Sequence, residues 1–165
     1  MIYKIRRSLL PCIIMMLVLC CIPVYAAPAV SKKEALKIAR RYIPSGSKLT
    51  ESEWEKSSSD WEFEFLTKNR KIKYEVAVDG ISGKLLELEK EYRCFSRTYQ
   101  YSVSKKAAKK IILKSFKDAK IAKIVKKTWK GTRVYKITFT TPTYRATAVV
   151  HGGTGKIIEW EKKFS

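Results

Sequence analysis

Between residues 30 and 163 the apolar positions repeat with a helical period and then with a period of two, and the whole pattern occurs twice. In the first copy Ala35, Leu36, Ile38, Ala39, Tyr42 and Ile43 recur at helical spacing, with Lys33, Lys37, Arg40 and Arg41 largely on the other side. Ser31 stands at the N-cap position, and Glu34, three residues on, is placed to complete a capping box. Pro44 and Gly46 stop the predicted helix. The period then falls to two. Leu49–Glu55 reads as a weak strand, Ser57–Asp60 as a turn, and Trp61-Glu62-Phe63-Glu64-Phe65 alternates aromatic with carboxylate, so its aromatics are expected to face the helix. A turn at Thr67–Lys71 and strands over Ile72–Val78 and Leu85–Tyr92 complete a unit of one helix and four antiparallel strands.

The second copy follows the same plan. Val103-Ser104-Lys105-Lys106 matches Val30-Ser31-Lys32-Lys33 at an offset of 73, and Ala107, Ala108, Ile111, Ile112, Ser115 and Phe116 form the stripe of a second helix. Strands are expected over Ile121–Trp129, along Tyr135, Ile137 and Phe139, over Tyr144–Val150 and over Ile157–Lys163. The last hairpin turn of each copy is nearly the same: Asp79, Gly80, Gly83 and Lys84 in the first, His151, Gly152, Gly153, Gly155 and Lys156 in the second, at an offset of 72. Two glycines per turn are expected to supply the positive φ angles of a tight reversal, which makes these residues structural. A near-constant offset confines insertions to loops, as a duplication under folding constraint requires. The fold class expected is α+β, as two repeats, each one helix packed on a four-stranded antiparallel sheet.

Before the repeats, Lys4, Arg6 and Arg7 precede an apolar stretch from Leu9 to Val24 and the small-residue site Val24-Tyr25-Ala26. That is the pattern of a signal peptide cleaved after Ala26, and Pro11 and Pro23 argue against a retained membrane anchor. The organisation read is therefore a signal peptide at 1–26, a first repeat at 27–93, a connector at 94–102 and a second repeat at 103–165, in a product located outside the cytoplasmic membrane. Cys12, Cys20 and Cys21 leave with the signal, so Cys94 has no intrachain disulfide partner and is expected to be a small, partly buried residue. The segment Tyr92–Tyr101 is aromatic and free of Gly and Pro; it is expected to extend the fourth strand and to pack rigidly between the repeats.

Charge separates the halves. Of the formal net charge of +20, residues 27–93 carry 14 Lys+Arg against 12 Asp+Glu, and residues 94–165 carry 18 against 3. Lys105, Lys106, Lys109, Lys110, Lys114 and Lys117 share one side of the second helix, and Lys120, Lys123, Lys126, Lys127 and Lys130 continue the basic run. These residues form a candidate anion-binding surface for wall polymers, acidic lipid head groups or an acidic protein, while export argues against nucleic acid.

Catalytic chemistry finds little support. One histidine in the chain rules out the two-histidine helical motif of zinc peptidases. Cys94 and His151 fall in the connector and in a turn, without an orienting third group. Gly152–Lys156 lacks the spacer, the hydroxyl residue and the following helix of a phosphate loop. Glu51, Glu53, Glu55, Glu62 and Glu64 read as solvated strand faces rather than a cation site. No catalytic, cofactor or metal residues are assigned. Trp54, Trp61, Trp129 and Trp160 are read mostly as core. Should the sheets join edge to edge, Thr138, Thr140, Thr147, Glu62, Glu64 and Glu75 would point to a shared helix-free surface open to a protein partner.

Ser-x-x-Glu-Ala-x-x-Ile-Ala over Ser31–Ala39, Tyr74-Glu-Val-x-Val-Asp and Gly83-Lys84 together resemble a PepSY domain, from the family named after peptidase propeptides and a spore-germination protein. The resemblance covers Val30–Glu89 and Val103–Glu161; in the second copy His151 replaces Asp79 and Ala107 replaces Glu34. It implies a helix on an antiparallel sheet, export, and a part in restraining peptidases or regulating proteins near the cell surface. The function expected is a non-enzymatic binding protein that sterically inhibits an extracytoplasmic peptidase or regulates another surface protein. The alternative is a basic module held to anionic wall polymer or lipid head groups.

Overall fold

A computed structural model describes residues 27–165, so the predicted signal peptide at 1–26 lies outside the described residues. Helix α1 (Lys32–Ala39) opens on a complete capping box: the Ser31 hydroxyl accepts from the Glu34 N–H, and the Glu34 carboxylate accepts from the Ser31 N–H. The helix ends earlier than its apolar pattern suggests. After Ala39 the N–H groups of Arg41 and Tyr42 reach back only three residues, and this tighter turn leaves Tyr42 exposed while Ile43 stays buried. Strands β1 (Lys48–Glu55), β2 (Asp60–Leu66), β3 (Ile72–Asp79) and β4 (Leu85–Tyr92) follow. The second repeat gives α2 (Lys105–Ser115), β5 (Lys120–Trp129), β6 (Thr132–Thr140), β7 (Tyr144–His151) and β8 (Ile157–Phe164). Its capping box is half built: Ser104 Oγ accepts from the Ala107 N–H, and Ala107 has nothing to return.

The expected pair of four-stranded sheets is one antiparallel sheet of eight strands, in the order β1-β2-β3-β4-β8-β7-β6-β5. The repeats meet where β4 lies against β8, with Glu89 directly opposite Glu161, its own counterpart in the other repeat. On one side of the sheet Phe63, Phe65, Tyr74, Val76, Val78 and Leu88 pack under Ala35, Ala39 and Ile43 of the first unit. Tyr135, Ile137, Phe139, Ala146, Ala148 and Val150 pack under Ala108, Ile112 and Phe116 of the second. Trp160 lies between the two cores, opposite Lys90 across the seam and with its ring edge-on to Phe116 at 6.4 Å. Both helices therefore cover the same face. Trp54 and Trp61 belong to it as well, 5.1 Å apart, with Trp61 Nε1–H donating to the Val30 carbonyl at 2.9 Å.

The connector corrects two expectations. It does not extend β4, which ends at Tyr92. Instead Phe95 crosses the helix-free face and stacks on Trp129 at 5.4 Å, over Val134, Val149 and Ile158. Trp129 thus serves a second, small core on the side away from the helices. Cys94 is exposed rather than partly buried, because its neighbour Phe95 takes the inward position. The junction is nonetheless tied down. The Thr98 N–H donates to Thr132 Oγ1 at 2.7 Å, the Thr98 carbonyl accepts from the Arg133 N–H at 2.8 Å, and Tyr101 then reaches the helix side, 4.9 Å from Tyr135.

The turn glycines also divide their roles. Only Gly83 and Gly155 adopt positive φ, at 72° and 74°. Gly80 and Gly152 are needed for close approach: a Cβ there would lie 2.2 Å from Trp54 Cζ3 and 2.7 Å from the Arg133 carbonyl oxygen, respectively.

Candidate functional site

Directly opposed residues of antiparallel strands share a face, about 4.5–5.5 Å apart at Cβ, so the register maps the helix-free side row by row. One row crosses all eight strands as Glu51, Glu64, Glu75, Glu89, Glu161, Thr147, Thr138 and Lys123. The next runs Glu53, Glu62, Ala77, Glu87, Lys163, Arg145, Thr140 and Lys120. A third contains Lys73, Glu91, Glu159, Val149 and Lys136. This open face therefore grades from carboxylate on β1–β4 and β8 to threonine and cation on β7–β5. All six residues that alternation assigns to the helix-free side, Thr138, Thr140, Thr147, Glu62, Glu64 and Glu75, are on it.

Carboxylates facing one another repel, and partial burial strengthens the effect by removing water. Burial, reinforced by Glu75 and Glu159, pushes the Glu89 carboxyl up to about 7. Burial and then Glu161 raise Glu87, burial and then Glu91 raise Glu159, and burial and then Asp60 raise Glu62. Two lysines interrupt the field. Lys163 lies 3.0 Å from Glu161 and 3.3 Å from Glu87, and these bonds hold its ammonium above the usual lysine range. Lys73 bonds Glu75 and lies 3.7 Å from Glu64; burial pulls its pKa down, but the hydrogen bond and the surrounding carboxylates leave it raised.

Lys130 reveals the shape of the face. It sits in the β5–β6 turn yet bonds the buried Glu91 on β4. In a flat sheet, with strands about 4.8 Å apart, that turn would lie beyond a lysine's reach of β4. The tip of the β5–β6 hairpin accordingly bends over the open face, with Phe95 and Trp129 filling the space beneath. Beside this tip the oxygens of Glu89, Glu91 and Glu159 lie within 4.8 Å of one another. Among the described residues these three carboxylates could hold a metal ion, and the Lys130 ammonium already bonds one of them. Toward β1 the face sinks into a shallow depression of about 300 Å³, lined by Glu51, Glu53, Glu62, Glu64, Glu75 and Glu87.

The candidate anion-binding lysines lie on both sides of the sheet. Lys105, Lys106, Lys109, Lys110, Lys114 and Lys117 are exposed along and just after α2, on the helix side. Lys123 and Lys127 extend to the open side of β5, Lys126 lies over the Tyr101 ring at 4.7 Å, and Lys130 is bound to Glu91. In the turns, Asp79 Oδ1 accepts from the Ile81 N–H at 3.0 Å and the Ser82 N–H at 2.5 Å, bonds that hold its carboxyl below the usual range. His151 Nδ1 takes the same place, and its Nε2 meets the Ser96 carbonyl at 2.7 Å, so both ring nitrogens are engaged in structure. The pairing of Glu89 with Glu161 and the reach of Lys130 to Glu91 join residues far apart in the sequence and follow from no local motif. The only local trace of the seam is the glutamate alternation on β4 (Glu87, Glu89, Glu91) and β8 (Glu159, Glu161).

Comparison with known proteins gives one family for both repeats. The family model described as peptidase propeptide and YPEB domain, PepSY, matches residues 29–89 and 102–161. No curated protein matches the chain. A crystal structure of a candidate lipoprotein from Clostridium difficile 630 is similar at 14% identity and a TM-score of 0.36, covering 84% of this chain and 96% of that one. A BLIP-like protein from Bacteroides fragilis NCTC 9343 is similar at 13% identity and a TM-score of 0.32, covering 86% of this chain and 91% of that one.

Proposed function

Because the chain belongs to the PepSY family and carries its domain twice, we propose that it is an exported binding protein, without catalytic activity of its own, that restrains an extracytoplasmic peptidase. The observation that carries this reading is the open face: strands from both repeats, joined without a break, present a helix-free surface, covered only beside the connector and the β5–β6 tip, whose strand side chains are set by sheet register. A rigid platform of this kind binds by shape and charge and loses little conformational entropy in doing so. Inhibition is steric, by covering a cleft. The exported location rests on the predicted signal peptide; among the described residues no helix is long and apolar enough to cross a membrane. The test is to add the purified protein to peptidases secreted by its source organism. Inhibition with co-purification supports the reading, and unchanged activity with no retained peptidase overturns it.

A second reading is favoured by the exposed lysines of α2, which among the described residues take part in no salt bridge. On this reading that side of the second repeat holds the protein to anionic wall polymer or lipid head groups. Retention on purified wall or anionic vesicles should then fall steeply with salt. Retention insensitive to salt would remove it.

A further inference from the structure

The sheet has two free edges, and they are oppositely charged. Among the described residues β1 and β5 each pair with a neighbour on one side only, so alternate backbone N–H and C=O groups along both strands point outward with no described strand to meet them. On its helix-free side β1 carries Glu51, Glu53 and Glu55, and β5 carries Lys120, Lys123 and Lys127. We propose that β1 of one molecule pairs with β5 of a second copy of this chain, continuing the sheet head to tail.

Three features of the strands support this pairing. Every neighbouring pair in the sheet is antiparallel and the number of strands is even, so the two outer strands run in opposite directions. A second copy placed alongside thus brings its β5 against β1 as an antiparallel neighbour, the arrangement found throughout the sheet. The register is set by the regular parts of the two edges. The irregularity of β1 lies between Leu49 and Glu51 and that of β5 between Ile121 and Lys123, which leaves Glu51–Glu55 and Lys123–Lys127 as matching regular stretches. Aligned antiparallel, they set Glu51 opposite Lys127 and Glu55 opposite Lys123, with Glu53 opposite Val125 and Trp54 opposite Ile124 on the helix side.

The same charges exclude the other pairings. Two β1 edges would oppose glutamate with glutamate, and two β5 edges lysine with lysine, each unfavourable at directly opposed positions. Edge lysines normally bar strand addition; here they bar it only against a like edge. A contact between two different edges has no two-fold symmetry to close it, so it yields chains or a ring rather than a dimer alone.

The inference goes beyond the peptidase reading and is tested without any peptidase. Sedimentation velocity on protein produced from the full chain, at low salt and over a wide concentration range, should show an average mass that rises above one chain and falls back as salt is added. Glu51→Lys with Glu55→Lys in one variant, and Lys123→Glu with Lys127→Glu in another, should each weaken association by about tenfold or more, as replacing attraction by repulsion at two opposed pairs requires. An equal mixture of the two variants should recover it, since each edge then finds an opposite charge on the other protein. The Lys123/Lys127 variant changes only exposed side chains and stands by itself if the Glu55 change disturbs the β1–β2 turn. A wild type that stays a single chain throughout, or a Lys123/Lys127 variant that associates like wild type, overturns the proposal. So does a mixture of folded variants that stays apart.

Discussion

His151 does with Nδ1 what Asp79 does with Oδ1: each accepts the backbone N–H groups two and three residues further on, at Gly153 and Thr154 in one turn and at Ile81 and Ser82 in the other. The substitution of histidine for the acid is therefore conservative in geometry. An Nδ1 that accepts leaves the ring proton on Nε2, which donates to the Ser96 carbonyl and ties the connector to the hairpin. His151→Ala should cost about 1–3 kcal/mol in denaturant unfolding, since it takes the acceptor from two part-buried N–H groups, leaves a cavity at a buried position and releases the connector. His151→Asn should recover part of that loss, because its side-chain oxygen can still accept from the turn.

The row of opposed glutamates predicts a stability that falls with rising pH. Glu89 is raised to about 7 by burial and then by Glu75 and Glu159, so the folded protein holds its proton more tightly than the unfolded chain does. The resulting stabilisation is fully present below the ordinary glutamate range and is lost as pH rises through about 7. Allowing for solvent screening, the change should be about 1–2 kcal/mol between pH about 4.5 and 8. Melting curves across that range should show it, and Glu89→Gln should flatten them while stabilising the protein at the alkaline end.

Gly152→Ala should be the more damaging of two matched turn substitutions. Its Cβ would meet the Arg133 carbonyl at 2.7 Å, and backbone paired in the sheet cannot withdraw. Gly80→Ala presses on the Trp54 ring, which is only partly buried on an edge strand and can swing away. Losses of about 2–4 kcal/mol for Gly152 and about 1–2 for Gly80 are expected, read by chemical denaturation.

Lys130→Ala should destabilise by about 1–3 kcal/mol although the lysine itself is exposed, because it strips the buried Glu91 carboxylate of its partner. Combining it with Glu91→Gln should restore most of the loss. If the double variant is no better than the single, Lys130 acts through its stem on Trp129, over which its ammonium lies at 4.5 Å.

The elements of this protein were legible because burial on one face writes a period into each strand: Phe63 and Phe65, or Ile137 and Phe139, announce both the strand and the side that meets the helix. The capping box at Ser31 is equally local. The seam is not, since whether β4 meets β8 depends on two edges far apart in the chain and on no motif in either. The path of the connector is not written locally either. Phe95 looks like a strand residue until Ile158 of β8 and Trp129, at the bent tip of the β5–β6 hairpin, offer it a better place. At the candidate surface the residue types and their side were readable from alternation, whereas the rows they form depend on register, which single strands do not encode.

Glu89 opposite Glu161 has one more consequence. Equivalent residues face each other only where a half-turn rotation relates two copies, so the seam has the form of the interface in a symmetric dimer of single repeats. Such a dimer must carry the same charges on both halves. A single chain carrying both repeats is released from that identity, and here one half is near neutrality and the other strongly basic. The two-repeat chain is thus polar, with two ends that differ and a direction along the sheet.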